Sequence, residues 1–168
     1  MEKKFILTDK FVINSFGIKL FQIKCTKSFK YAQKGDFGGY VEKEGNLDQE
    51  NDAWVFGNAR VFGNARVSSN ARVSGDAWVS GNAWVSGDAD IENDNEHCGF
   101  DGFGSCNRHT HAYMTKEKKV EIICGCFRGS IEEFEKKVEE THSGTVYEKQ
   151  YKSIINVIKI KFGLTDLI

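Results

Sequence analysis

The segment "NARVFGNARVSSNARVSGDAWVSGNAWVSGDADI", residues 58–91, repeats every six residues, and this period decides the fold. Valines recur at Val55, Val61, Val67, Val73, Val79 and Val85, Ile91 continues the series, and an alanine stands two positions before each, from Ala53 to Ala89. Positions two apart in an extended strand point the same way, so Ala-x-Val sends a small and a branched side chain inward and x outward. Gly-Asn, Gly-Asp or Ser-Asn follows, residues that tolerate the backbone angles of a corner. Six residues per strand and corner is too short for a hairpin meander and is the wrong period for a helix. The pattern predicts a three-sided solenoid of eighteen residues per coil, with coils stacked about 4.8 Å apart as neighbouring strands are. Val41 and Leu47 fit the inward position upstream, but the step from Leu47 to Val55 is eight, so two residues should bulge near Gln49 and Glu50.

Stacking of residue i on i+18 sets Arg60 against Trp78 and Arg66 against Trp84, and puts Trp54, Arg72 and Asp90 in one column. Each face should then carry an arginine beside a tryptophan, a cation–π arrangement with one ion-pair partner added. The alternative is that both are long, adaptable covers for a narrow solenoid. Arginines that look like a basic stripe in sequence fall on three different faces, which argues against nucleic-acid binding. Phe56 and Phe62 point outward at one end; either the N-terminal segment covers them or they form a docking patch.

The chain has 168 residues and a formal charge of −1, but its charge is segregated. Met1 to Gly35 holds eight lysines against Glu2 and Asp9, while Asp88 to Asp101 holds six acids and no base. Such an acidic edge beside a basic end is a protein-docking signature as well as a solvated surface. The start has only Phe5-Ile6-Leu7 as an apolar run, too short for a signal peptide, and no stretch could span a bilayer. A cytoplasmic protein without membrane contact is expected, in which clustered cysteines point to metal or burial before disulfides.

Residues 1–40 read as a β cap, with "FILTDKFVI" and "IKLFQIKC" joined through a turn at Asn14–Gly17. Residues 41–91 are the repeat, and 92–168 form a small α/β lobe. In that lobe "ENDNEHCGFDGFGSCNRHTH" reads as irregular and "KVEIICGCF" as a strand. Ser130 and Glu133 form a capping box that starts a helix ending near His142-Ser143-Gly144, and a second helix runs from about Val146 to Lys161.

Four blocks in order, "ILTD", "KGDFGGYVEKEGNL", the hexads, and "CGCFRGSIEEFEKKVEETH" followed by "YEKQYKSIINVIKIKF", resemble a group of phage and prophage hexapeptide-repeat proteins often labelled polymer-forming. The resemblance implies a left-handed parallel β-helix, a mobile-element origin and no enzymatic activity. Small phage-borne cytosolic proteins without catalytic motifs are frequently inhibitors of host defence, anti-CRISPR proteins included; this step is analogy. The expected fold is therefore mainly β: a short left-handed β-helix with an N-terminal β cap and a C-terminal α/β lobe.

All four histidines lie beyond the repeat, which counts against the acyltransferases and carbonic anhydrases built on similar solenoids. Cys98, Cys106, His109 and His111 offer two thiolates and two imidazoles within fourteen residues, enough for a structural zinc ion. Cys124, Cys126 and His142 are the fallback ligand set, although burial in the core is the plainer fate for both cysteines. Asp88, Asp90 and Asp94 lack the glycine and distal glutamate of a calcium loop. The leading expectation is a non-catalytic inhibitor that binds a host protein such as a CRISPR effector, with Asp88, Asp90, Glu92, Asp94 and Glu96 meeting a basic, nucleic-acid-binding surface. A phage structural or assembly spacer is the alternative, and a hexapeptide-type transferase the third.

Overall fold

The structure, a computed structural model, describes residues 2–165. The chain divides into two compact units, Met1–Asp94 and Asn95–Ile168. No helix among the described residues is long and apolar enough to cross a membrane.

In the first unit, β1 (Phe5–Ile13), β2 (Lys19–Cys25) and β3 (Phe37–Val41) pair antiparallel in sequence order. Seven two-residue strands follow at the hexad positions: β4 (Trp54–Val55), β5 (Arg60–Val61), β6 (Arg66–Val67), β7 (Arg72–Val73), β8 (Trp78–Val79), β9 (Trp84–Val85) and β10 (Asp90–Ile91). They pair in parallel with their neighbours eighteen residues on, Arg60 with Trp78, Arg66 with Trp84, and Trp54 with Arg72 and then Asp90. The inward alanines and valines are all buried, from Ala53 and Val55 to Ala89 and Ile91. The chain is thus mainly β, a solenoid of short strands whose core is a column of small and branched side chains.

The first coil departs from eighteen. Tyr40 pairs with Arg60, and Leu47 with Val67, a step of twenty that absorbs the two extra residues. The side chain of Gln49, one of the two, imitates a strand backbone: its Oε1 accepts from the backbone N–H of Lys4 at 2.8 Å and of Phe5 at 3.2 Å, and its Nε2 donates to the Phe5 carbonyl at 3.1 Å. The bulge therefore holds the N-terminal segment against the coil. Lys4 follows it inward, its ammonium donating to the carbonyls of Asn51 and Ala53, and burial pulls its pKa down to about 8 although Asp48 and Asp52 oppose the shift.

The outward columns obey the register but not one chemistry. The Arg60 guanidinium lies 4.9 Å from the centre of the Trp78 ring, as the cation–π reading requires. Arg72 turns instead to Phe56 and Tyr31, at 5.3 and 5.7 Å, and Trp84 donates from its indole to Ser68 Oγ at 3.3 Å. Of the two readings for Phe56 and Phe62, coverage holds: Phe56 packs on Tyr31, and Phe62 is buried between Phe16 and Trp78. For Arg60 and Trp78, a double-mutant cycle to alanine should give a coupling of about 0.5–1 kcal/mol in denaturant unfolding. Strict additivity would mean that the ring contact contributes nothing beyond burial.

The second unit is a four-stranded antiparallel meander, β11 (His97–Phe103), β12 (Arg108–Met114), β13 (Val120–Cys124) and β14 (Phe127–Ser130), followed by α1 (Ile131–His142) and α2 (Val146–Lys161). The helices begin where their caps stand. Ser130 Oγ accepts from the Glu133 N–H at 3.2 Å while the Glu133 carboxylate accepts from the Ser130 N–H at 2.8 Å, and Thr145 Oγ1 accepts from the Glu148 N–H at 3.4 Å. Phe134 and Val138 of α1 and Tyr151, Ile155 and Ile158 of α2 pack with Ala112 and Ile122 of the sheet. One expectation fails: of the stretch 92–111, read as irregular, the part from His97 onward belongs to a hairpin that runs on to Met114. Its alternation is hidden because one face of it is built from histidines, a glycine and an aspartate.

Candidate functional site

The period of two in a strand divides the residues singled out as zinc ligands. On β11, Cys98 and Phe100 pack against the helical core. On β12, Ala112 lies in that same core, so His111, its neighbour, points to the opposite face. There His109 donates from Nδ1 to the Asp101 carboxylate at 2.8 Å, and His97 Nδ1 lies 3.1 Å from His111 Nε2. Cys106 stands in the exposed turn between the strands. Burial pushes the Cys98 thiol up to about 11, away from the thiolate form that binds metals. The structure thus brings His109 and His111 together with His97, and leaves Cys98 and Cys106 apart from them. Among the described residues, no group of three or more His, Cys, Asp and Glu side chains is arranged to hold a metal ion.

Cys106 belongs to a different company. It lines an open cavity of about 460 Å³ together with Cys124, Cys126 and His142, the set named as a fallback. Cys124 ends β13 buried, its sulfur accepting from Thr110 Oγ1 at 3.3 Å and lying 3.8 Å from the Tyr151 hydroxyl. Cys126, expected in the core, is exposed, because Gly125 and Cys126 form the two-residue turn between β13 and β14. The Arg108 side chain crosses this turn: its Nη1 is 3.9 Å from Cys126 Sγ, and a Cβ on Gly125 would lie 2.4 Å from that nitrogen. The neighbouring Cys106 and Cys126 sulfurs raise the Arg108 pKa further, so it is a permanent cation. Tyr151 closes the floor, stacked on His142 with ring centres 5.5 Å apart. Burial, with Cys124 beside it, pushes the phenol up to about 12 and keeps it a hydrogen-bond donor. Gly104 makes room for that hydroxyl, since a Cβ there would lie 2.0 Å from it.

Sequence reasoning passed over Arg108 and Tyr151. The alternation of β12 was the available signal: Arg108, Thr110 and Ala112 share a face, with the histidines on the other.

The acidic edge is also divided. Asp90 is buried and sits 3.7 Å from Arg72 in the column with Trp54, so it faces its own solenoid rather than a partner. Asp94 accepts from the backbone N–H of Trp78 at 2.7 Å, supplying the acceptor that a further coil would have supplied. Glu96, in the second unit, lies 3.7 Å from Lys118. Asp88 and Glu92 are exposed on the last coil.

The coils resemble a known repeat. The model of the YdcK β-solenoid repeat matches residues 53–69, 65–81 and 71–87. This is a β-solenoid repeat protein. Comparison with curated proteins gives no match.

Proposed function

We propose that this β-solenoid is a non-catalytic cytoplasmic binding protein of a phage or other mobile element, an anti-CRISPR-like inhibitor that covers a nucleic-acid-binding surface of a host defence protein. In this reading the coils wind left-handed, as the hexapeptide resemblance implies, and the β1–β2 hairpin serves as their N-terminal cap. The observation that carries the proposal is an acidic pole at the end of the solenoid. From Val73 to Asp94 the chain has five carboxylates and no lysine or arginine; Asp76, Asp88, Glu92 and Asp94 among them are exposed. A rigid surface of one sign steers an oppositely charged partner and accelerates its docking. The coils hold no histidine, which supports a binding role over acyl transfer.

Asp88→Asn with Glu92→Gln removes two exposed charges and leaves Asp90 and Asp94 in place. Expression of the chain should restore plasmid transformation in cells whose CRISPR effector otherwise blocks it. The double variant, checked for folding by circular dichroism, should associate with that effector about tenfold more slowly at low salt, with the difference shrinking as salt rises. Inhibition and association rate unchanged at low salt would remove the acidic pole from the mechanism, and unrestored transformation would remove the inhibitor reading for that effector.

A further inference from the structure

The cavity of the second unit has a chemistry that protein docking by the solenoid does not use. None of its described lining residues is a carboxylate, whereas Arg108, Lys137 and His142 all line it. Arg108 has no ion-pair partner among the described residues, and its Nη1 lies 3.9 Å from the Cys126 sulfur. The floor is apolar and aromatic: Phe127 and Phe134 lie tilted with ring centres 5.0 Å apart, and Phe134 meets Tyr151 edge-on at 5.6 Å. Binding pockets combine such an apolar wall with a few converging polar groups.

We infer that this cavity is a binding site for a small organic anion, a carboxylate, sulfonate or phosphate joined to an apolar body. The anion meets the Arg108 guanidinium, whose planar fork of donors suits an oxyanion, and the apolar body lies on Phe127 and Phe134. The Tyr151 hydroxyl, held protonated, is a second donor at the floor. The cysteines are neighbours of the ligand, with no covalent step assigned to them.

The probe is 8-anilinonaphthalene-1-sulfonate, titrated by fluorescence into the full chain, with alkylation of Cys106 and Cys126 by iodoacetamide read by mass spectrometry at each probe concentration. Saturable binding is expected, with both cysteines protected over the same concentration range. Arg108→Gln should weaken binding about tenfold, the loss of one charge-assisted contact, and flatten its dependence on salt. Thr141→Trp, at an exposed rim position of α1, should abolish protection by filling the mouth. Phe11→Ser, on the exposed β1 strand of the other unit, should change nothing. The inference falls if the probe does not bind, if binding leaves Cys106 and Cys126 unprotected, or if Phe11→Ser removes it. Protection that survives in Arg108→Gln at full affinity would reduce the site to an apolar cleft and overturn its anion specificity.

Discussion

Trp54→Ala should destabilise the solenoid by about 3–5 kcal/mol, the range for truncating a large core aromatic, whereas Trp84→Ala should cost about 1 kcal/mol or less, as surface substitutions do. The two residues hold the same place in the hexad, on different faces and coils, and differ most in what lies over them. Trp54 is 1 % exposed, with Phe29 at 5.3 Å and Phe5 at 6.3 Å between ring centres, both from the N-terminal segment that Gln49 fastens to the first coil. Trp84 is 47 % exposed, and its indole hydrogen bond to Ser68 Oγ is long at 3.3 Å. All three tryptophans lie in the first unit, so fluorescence in a urea titration reports its unfolding apart from that of the second unit. Equal losses in the two variants would mean that the N-terminal segment adds no burial energy to the first coil.

That contrast also marks how far the sequence could be read. The six-residue period fixes which side chains turn inward and which residues stack, because a strand allows two faces and parallel stacking repeats the register. The caps at Ser130 and Thr145 likewise place both helices, since their side chains satisfy N–H groups that the helices leave open. What covers an outward residue depends on distant segments. Nothing in the hexad at Trp54 tells that Phe29 will cover it, or that Arg72 will turn to Tyr31 rather than to the tryptophan of its own column. The site was hidden for a related reason. Cys106 and His109 are close in sequence, and proximity groups them as ligands, but a turn and a half-strand separate their directions. Arg108, Cys126 and Tyr151 meet only because three strands and two helices fold together, and no spacing records that meeting. The hairpin at 97–114 was missed because one of its faces carries histidines, a glycine and an aspartate, which do not read as the side of a strand, although His111 and Tyr113 on that face are buried.

Gly75→Ala should be far more damaging than the same change at the equivalent corner Gly81. The corner residue of each hexad recurs at Gly57, Gly63, Ser69, Gly75, Gly81 and Gly87, every one with φ between 55° and 69°. This left-handed region costs an L-residue about 1–2 kcal/mol, so each corner favours glycine by roughly that amount. Ser69 shows that the cost can be borne, and it recovers part of it through a hydroxyl 3.1 Å from Ser86 Oγ. Space separates the corners further. A Cβ on Gly81 would meet nothing within 4 Å, whereas one on Gly75 would lie 2.3 Å from the Glu92 carbonyl oxygen, a backbone atom that cannot rotate away. The last coil would have to shift, and the Ser74 N–H to Ile91 carbonyl bond, 2.8 Å long, lies beside that contact. Overpacking of this kind adds about 1–3 kcal/mol. In urea unfolding Gly81→Ala should therefore lose about 1 kcal/mol, Gly75→Ala about 3 kcal/mol, and Ser69→Gly should lose little or gain slightly. In Gly75→Ala, amide exchange should quicken at Ser74 while staying slow at Trp54, whose N–H donates to the Ala71 carbonyl at 3.0 Å in the first coils. Equal losses at Gly75 and Gly81 would show that backbone conformation alone sets the cost, and that the close approach of Glu92 to the corner does not constrain the last coil.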